Sequence, residues 1–423
     1  MTSGFSELKL QNLEIMAPAG SYESLIAAIQ GGANSVYFGV GKLNMRSRSS
    51  QNFSLDDLRS IASVCSQHGV KSYLTLNTVI FDDDMDEVRR TVEVAAETGI
   101  SAIIASDMSV ISFARNTGME VHLSTQTNIT NIEAVRFFSQ FADVIVTARE
   151  LTLQQVSDIV KAIEQQQVKG PSGRLLQIEV FVHGALCMAI SGKCYLSLDN
   201  MNASANRGAC LQPCRRTYLV TDKEDGHQYE LDHQYIMSPK DLCTIGFLDK
   251  IVQAGVAVLK IEGRGRSPEY VKTVTRCYRE AADAVVNNTF DQIKVEHWME
   301  QLKSVYNRGF WDGYYLGRKM GEWTGRYGSQ ATRRKVYIGL VTNYFSRLNV
   351  AEVKIETNEL LINDPLLIIG PTTGVLELNA SEIRVGLQPV ANSKKGELCS
   401  IPVPGLVRRG DKVYKWVEAD SPN

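Results

Sequence analysis

Residues 85–124 read MDEVRRTVEVAAETGISAIIASDMSVISFARNTGMEVHLS, and this stretch decides the architecture. A helical pattern over Met85 to Glu97 ends at Gly99-Ile100, and an apolar run, Ala102 to Ala105, follows. A second helical segment then closes at Gly118-Met119 and delivers another run, Val121 to Ser124. Glycine tolerates the left-handed backbone that closes a helix, so each pair reads as a helix-to-strand connection. The same punctuation recurs at Gly32-Ala33, Gly69-Val70 and Gly255-Val256. Outward from the decisive stretch, further short apolar runs occur at Leu13 to Ala17, Ser35 to Phe38, Ser72 to Leu76, Val144 to Val146, Gln177 to Phe181 and Val256 to Ile261. Helical patterns at Tyr22 to Gln30, Leu55 to His68 and Leu153 to Gln167 separate several of them. Eight strands with intervening helices predict an α/β fold, a (β/α)8 TIM-like barrel, with an open doubly wound sheet as the alternative.

Between strands seven and eight the chain spends residues 182–240, far more than an ordinary connecting loop. Its second half, Tyr218-Leu219-Val220, Asp225-Gly226, Gln228-Tyr229-Glu230, reads as a hairpin. Ser267-Pro268 caps a helix to about Val285, and another covers Gln292 to Tyr306. From Lys335 the texture changes to short β-like runs (Val336 to Val341, Val350 to Ile355, Leu366 to Ile369, Lys412 to Trp416). The expected organisation is therefore a barrel over 1–320 with its insertion at 182–240, a linker over 321–334 and a small all-β, barrel-like domain over 335–423.

At 423 residues with 44% hydrophobic content, the chain buries a large core, which excludes a disordered or collagen-like polymer. A net charge of −2 gives no global field for a polyanion. No run of about 18 uncharged apolar residues is present, and MTSGFSELKLQN lacks a signal-peptide core, so a cytoplasmic protein without a membrane span is expected.

Four of the eight cysteines, Cys187, Cys194, Cys210 and Cys214, fall in the insertion with spacing C-x6-C-x15-C-x3-C; Cys65, Cys243, Cys277 and Cys399 are scattered. Four thiols in one loop at the exit of a barrel strand suit a soft metal site. Ordinary buried thiols and structural zinc remain alternatives, although the absence of tight CxxC pairs tilts the reading toward an iron–sulfur cluster. Strand ends of a barrel line its active site. This places Glu14, Asn77, Gln126, Asn128, Arg149, Glu150, His183, Lys260, Glu262 and Arg264 at one mouth, with Arg46 and Arg48 from the second βα loop. The arginines are cationic forks for carboxylates, or rim salt-bridge partners of Glu150 and Glu262. His183 is a candidate acid/base, or a satisfied loop histidine. Gln126 and Asn128 offer amides to a base edge or a carboxylate. Arg207, Arg215 and Arg216, and the group Trp323, Arg326, Tyr327, Arg333, Arg334 and Lys335, mix guanidinium and aromatic surface as single-stranded RNA recognition does.

The bracket Glu179-Val-Phe-Val-His183-Gly184-Ala-Leu-Cys187, continued by Gly192-Lys-Cys194-Tyr-Leu-Ser197, resembles the signature of the collagenase-like peptidase family U32. Ala17-Pro18-Ala19-Gly20, Asn44-Met45-Arg46-Ser47-Arg48, Ser124-Thr125-Gln126-Thr127-Asn128 and Lys260-Ile261-Glu262-Gly263-Arg264 resemble it too, and the likeness extends over nearly the whole chain. Its layout is most similar to the branch of tRNA hydroxylation proteins. That resemblance implies a 4Fe-4S cluster on the four cysteines, prephenate as co-substrate, and tRNA as the partner hydroxylated to 5-hydroxyuridine at the wobble position. Glu179, His183 and Glu262 become candidate catalytic groups, and Arg46, Arg48, Asn77, Gln126, Asn128, Arg149, Lys260 and Arg264 candidate substrate ligands. The family's older label implies a peptidase instead, but neither HExxH nor GxSxG occurs. Hydroxylation of another RNA or aromatic substrate, and a non-catalytic partner protein, are further alternatives. The sequence leaves homo- or hetero-oligomerisation open.

Overall fold

In the computed structural model the described residues are 13–48, 52–231, 238–317, 321–324 and 328–419. Eight parallel strands close into a barrel: β1 (Glu14–Pro18), β2 (Ser35–Gly39), β3 (Lys71–Leu76), β4 (Ala102–Ala105), β5 (Glu120–Leu123), β6 (Val144–Val146), β7 (Gln177–Ala185) and, numbered in chain order after two strands of the insertion and one that follows it, β11 (Val258–Ile261). Closure comes from β11, which pairs in parallel with β1 on one side and β7 on the other. The barrel read from sequence is therefore the fold, and the open sheet is not. All five punctuating glycines hold positive φ; Gly99, at +83°, accepts the left-handed turn that ends the helix Met85–Thr98.

Strand side chains alternate, so one set faces the helices and the other the barrel axis. Ile15, Phe38, Leu74, Ile103 and Leu123 pack outward under the helices. Met16, Tyr37, Tyr73, Ile104, Val144 and Val258 fill the axis. Polar groups share that axis: Glu14 receives a hydrogen bond from Tyr73 (2.9 Å), and Glu179 Oε1 lies 2.7 Å from Lys260 Nζ.

β7 runs four residues past its expected end because β10 (Asp241–Cys243) pairs antiparallel with the overhang. Residues between these strands carry the short helix Leu196–Met201 and the expected hairpin, β8 (Tyr218–Thr221) with β9 (Gln228–Leu231). Beyond the barrel, the strand Arg333–Phe345 begins inside the stretch read as linker. It belongs to an eight-stranded sheet with its own core around Ile338, Val353, Ile368 and Val413. Among the described residues this sheet ends at Gly374–Asn379 on one side and Gln388–Pro389 on the other, so its pairing is open where the sequence suggests a barrel. Leu367, Ile369 and Val375 dock on Ala27 of the helix Tyr22–Gln30, and Gln30 bonds the backbone of Thr373 and Val375. Among the described residues no helix is long and apolar enough to cross a membrane.

Candidate active site

Chain segments that leave the carboxyl ends of the strands enclose a cavity of about 260 Å³. Tyr37, Thr75, Phe181 and Lys260 form its floor on the strands themselves. Asn77, Gln126, Arg149, Glu262 and Arg264, one to three residues beyond strand ends, form its wall, joined by Arg46 from the β2 loop. Cys187, Cys194, Cys210 and Cys214 complete it from the insertion.

The insertion is pinned down at several points. Val79 N–H donates to Asn206 O (3.0 Å), Ser47 Oγ to Gly208 O (3.1 Å) and Asn128 Nδ2 to Ser191 O (3.4 Å). Arg207 pairs with Asp84 and lies 4.1 Å from the Phe81 ring centroid. Ser197 Oγ accepts from Leu211 N–H (3.0 Å) and approaches Cys210 Sγ at 3.9 Å. Gly208 has φ +77°, and a Cβ there would meet Asn44 O at 2.2 Å and Ser47 Oγ at 2.4 Å. Gly208→Ala is therefore expected to lift this roof. Limited proteolysis should then cut between Cys187 and Cys214 with the barrel intact, while a cleavage pattern like that of the parent protein would refute the clamp.

The four sulfurs line the same cavity. Burial raises the Cys214 thiol to about 11; Arg215 opposes this and the other three thiols add to it. Among the described residues no three His, Cys, Asp or Glu side chains stand ready to hold a metal ion. The donor chemistry nonetheless fits a soft, thiolate-bound group, since four half-buried or exposed thiols line one cavity and no imidazole is among its described lining residues. Holding it requires the roof to draw these sulfurs inward.

Charge in the cavity is lopsided. Among the described residues Arg46, Arg149, Arg215, Lys260, Arg264, Arg266 and Arg308 line it, against the single carboxylate Glu262. Burial pushes Glu262 upward, but Arg46 (3.0 Å), Arg266 and Arg149 outweigh that and hold it at about 2, so it is ionised at neutral pH. Arg264, lowered to about 10 mainly by burial, donates to Thr75 Oγ1 at 2.7 Å. Arg149 stacks 4.0 Å above Phe181 and reaches Ala185 O at 3.4 Å; its buried Nε has no partner. Lys260 is also depressed by burial, with Glu179 acting against it. Sequence reasoning overlooked Tyr37, Arg266 and Arg308 as lining groups; the spacing Arg264-Gly-Arg266 was the available signal for one of them.

Several expected site residues lie elsewhere. Glu14 is the first residue of β1 and pairs with Lys71 (2.8 Å), which puts it at the opposite end of the barrel from the mouth. Glu150 and Arg48 are exposed, and neither lines the cavity. Asn128 adopts φ +52° and serves the roof through Ser191. Glu179 is fully buried beneath Lys260, so it reaches the cavity only through that ammonium. His183 is displaced by a register irregularity: Lys260 pairs with Phe181, but Ile261 pairs with His183, so an extra β7 residue intervenes. The imidazole therefore turns outward, packs beside Tyr270, Tyr278 and Phe310, and puts Nδ1 3.3 Å from Tyr278 Oη. It is the satisfied histidine rather than a catalytic one. Arg326 and Tyr327 lie outside the described residues, and Lys335 is paired with Glu269 (2.8 Å).

Burial first, then Arg266, lowers His183 from 6.5 to about 3. Above pH 6.5 it is neutral folded or unfolded. Below that value the unfolded chain takes a proton the folded one refuses, so stability falls by about 1.4 kcal/mol per pH unit until about pH 3. His183→Gln should flatten that slope in urea titrations between pH 6.5 and 4; an unchanged slope would remove His183 as its source.

Fold and cavity together define a (β/α)8-barrel protein with a cationic, thiol-roofed pocket at the carboxyl end of its strands. The chain belongs to Peptidase family U32, whose model matches residues 20–325. It is 56% identical to a Porphyromonas gingivalis protein named collagenase, over 97% of this chain and 99% of that one. It is 31% identical to tRNA hydroxylation protein P1 of Bacillus subtilis, over 78% and 77%. A 23S rRNA 5-hydroxycytidine synthase of Escherichia coli is 33% identical over 73% of this chain and 46% of its own length. The collagenase-named relative is thus more similar to this chain than the RNA-hydroxylating ones, which form a more distant branch.

Proposed function

We propose that the protein is an iron–sulfur RNA-modifying enzyme that hydroxylates a pyrimidine, with the wobble uridine of tRNA as target and a small dicarboxylate, prephenate, as co-substrate. The observation that carries this reading is that, among the described residues, four thiols and seven cations line one cavity with a single carboxylate. The names of the RNA-hydroxylating relatives support the substrate class.

Cys187, Cys194, Cys210 and Cys214 would hold the cluster, which when bound supplies one-electron chemistry at the cavity wall. The chain's own residues do the rest. Arg149 and Arg264 offer guanidinium forks to carboxylates. Glu262, ionised and bonded to Arg46, orients that third arginine. Glu179 fixes Lys260 at the floor. Ser124, Gln126 and Asn77 form a linked set of neutral donors and acceptors suited to a base edge, with Asn77 Nδ2 donating to Ser124 Oγ at 3.2 Å. Deleting the gene should remove 5-hydroxyuridine-derived nucleosides from tRNA digests read by mass spectrometry; an unchanged nucleoside profile rejects the substrate.

The second reading, a peptidase, draws on the collagenase name at 56% identity. A cysteine or serine peptidase needs a nucleophile in contact with a histidine. Among the described residues His183 bonds Tyr278, and His122 bonds Glu120. Cleavage of denatured collagen by pure protein in the presence of an iron chelator would favour this reading over the first.

A further inference from the structure

A second cavity, of about 370 Å³, adjoins the first through Cys210, Gln212, Arg215 and Arg308, which line both. Arg216 and Tyr306 line only the second, and among the described residues no carboxylate is in its wall. We propose that this cavity takes a phosphate group, the phosphodiester next to the base held at the barrel mouth. The inference rests on the RNA reading above and adds to it the place where the strand runs.

The basic wall is built, not incidental. Arg215 is held by Ser238 Oγ (3.0 Å) and Leu186 O (3.1 Å), which fixes its fork between the two cavities. Arg308 is oriented from behind by buried Asp241 at 3.3 Å. Asp241 also lies 3.8 Å from Arg266, whose guanidinium stacks 3.7 Å from the Tyr306 ring centroid. Arg266 and Arg308 thus lie 3.7 and 5.3 Å from the Tyr306 ring centroid with Asp241 behind them, while Arg215 and exposed Arg216, whose guanidinium also donates to Met201 Sδ at 3.6 Å, add to the wall that the ring lines. A surplus of positive charge beside a planar ring suits a phosphodiester with a neighbouring base stacked on tyrosine. Because the two cavities share Cys210, Gln212, Arg215 and Arg308, a target base in the first would leave its own backbone beside the second.

The test is the salt dependence of binding to a labelled single-stranded oligouridylate, measured anaerobically on the full chain by fluorescence anisotropy. Each phosphate contact to a single strand contributes about 0.7 to the slope of log affinity against log salt. Arg216→Ala is expected to lower that slope by about 0.7, whereas Arg174→Ala, at the far end of the barrel and paired with Glu120, leaves it unchanged. Inorganic phosphate should compete only weakly. Equal slopes in parent and Arg216→Ala would overturn the inference and leave the RNA reading intact, because the nucleoside profile tests that separately. Saturable, tight competition by inorganic phosphate would also overturn it, by making the cavity a site for a free anion. An oligonucleotide that does not bind at any salt concentration removes both.

Discussion

Single replacement of Cys187, Cys194, Cys210 or Cys214 by serine is expected to take anaerobically purified protein from brown to nearly colourless. Iron should fall from about four atoms per chain to under about one. Each sulfur lines the same cavity, and among the described residues no imidazole lines it to replace a lost ligand. Cys65→Ala is the matched control. Cys65 is a buried free thiol, raised to about 12 by desolvation, and it packs under the barrel helices far from the mouth. Its loss should cost packing and spare the iron. Full iron retention in all four serine variants, or equal loss in the control, would break the link between these thiols and a cluster.

How much of this was legible beforehand follows from which physical signals are local. The eight strands were readable because a left-handed glycine after a helix and an apolar run after the glycine are properties of neighbouring residues. The grouping of the four cysteines was equally local. By contrast, alternation along β7 predicts Glu179, Phe181 and His183 on one face, and the register irregularity opposite Ile261 breaks that pattern at His183. Such a shift depends on how β11 and β10 grip the strand, and nothing within residues 177–185 announces it. Glu14 misled for a related reason: the apolar run Leu13 to Ala17 sets where β1 lies, but the end of the barrel at which Glu14 sits depends on the partner register Glu14 to Val258. Arg266 and Arg308 were missed because the carboxylate that aims them, Asp241, lies in a strand that pairs with the overhang of β7.

Replacing Arg149 with methionine should separate stability from binding. The residue is half-buried, its buried Nε lacks a partner, and desolvation is the largest influence on it, with Glu262 only partly offsetting. Removing an incompletely satisfied buried charge in favour of an apolar side chain of similar length is expected to stabilise a fold, by about 1 kcal/mol here. Methionine can also keep the packing on Phe181 that Arg149 now makes at 4.0 Å. The cost falls on function: losing a charged hydrogen-bond donor to a carboxylate is worth about 1.5–3 kcal/mol, roughly a 10- to 100-fold drop in affinity for a dicarboxylate. Arg264→Met should weaken the same ligand but lower the thermal midpoint, because Arg264 is bonded to Thr75 at 2.7 Å and its loss empties a filled position beside Gly39. A thermal midpoint that falls for Arg149→Met as it does for Arg264→Met would show that Arg149 is a structural rim cation. An affinity unchanged in both variants would mean that the cavity does not bind the anion at all, and a scaffold role would then be the better account of the barrel.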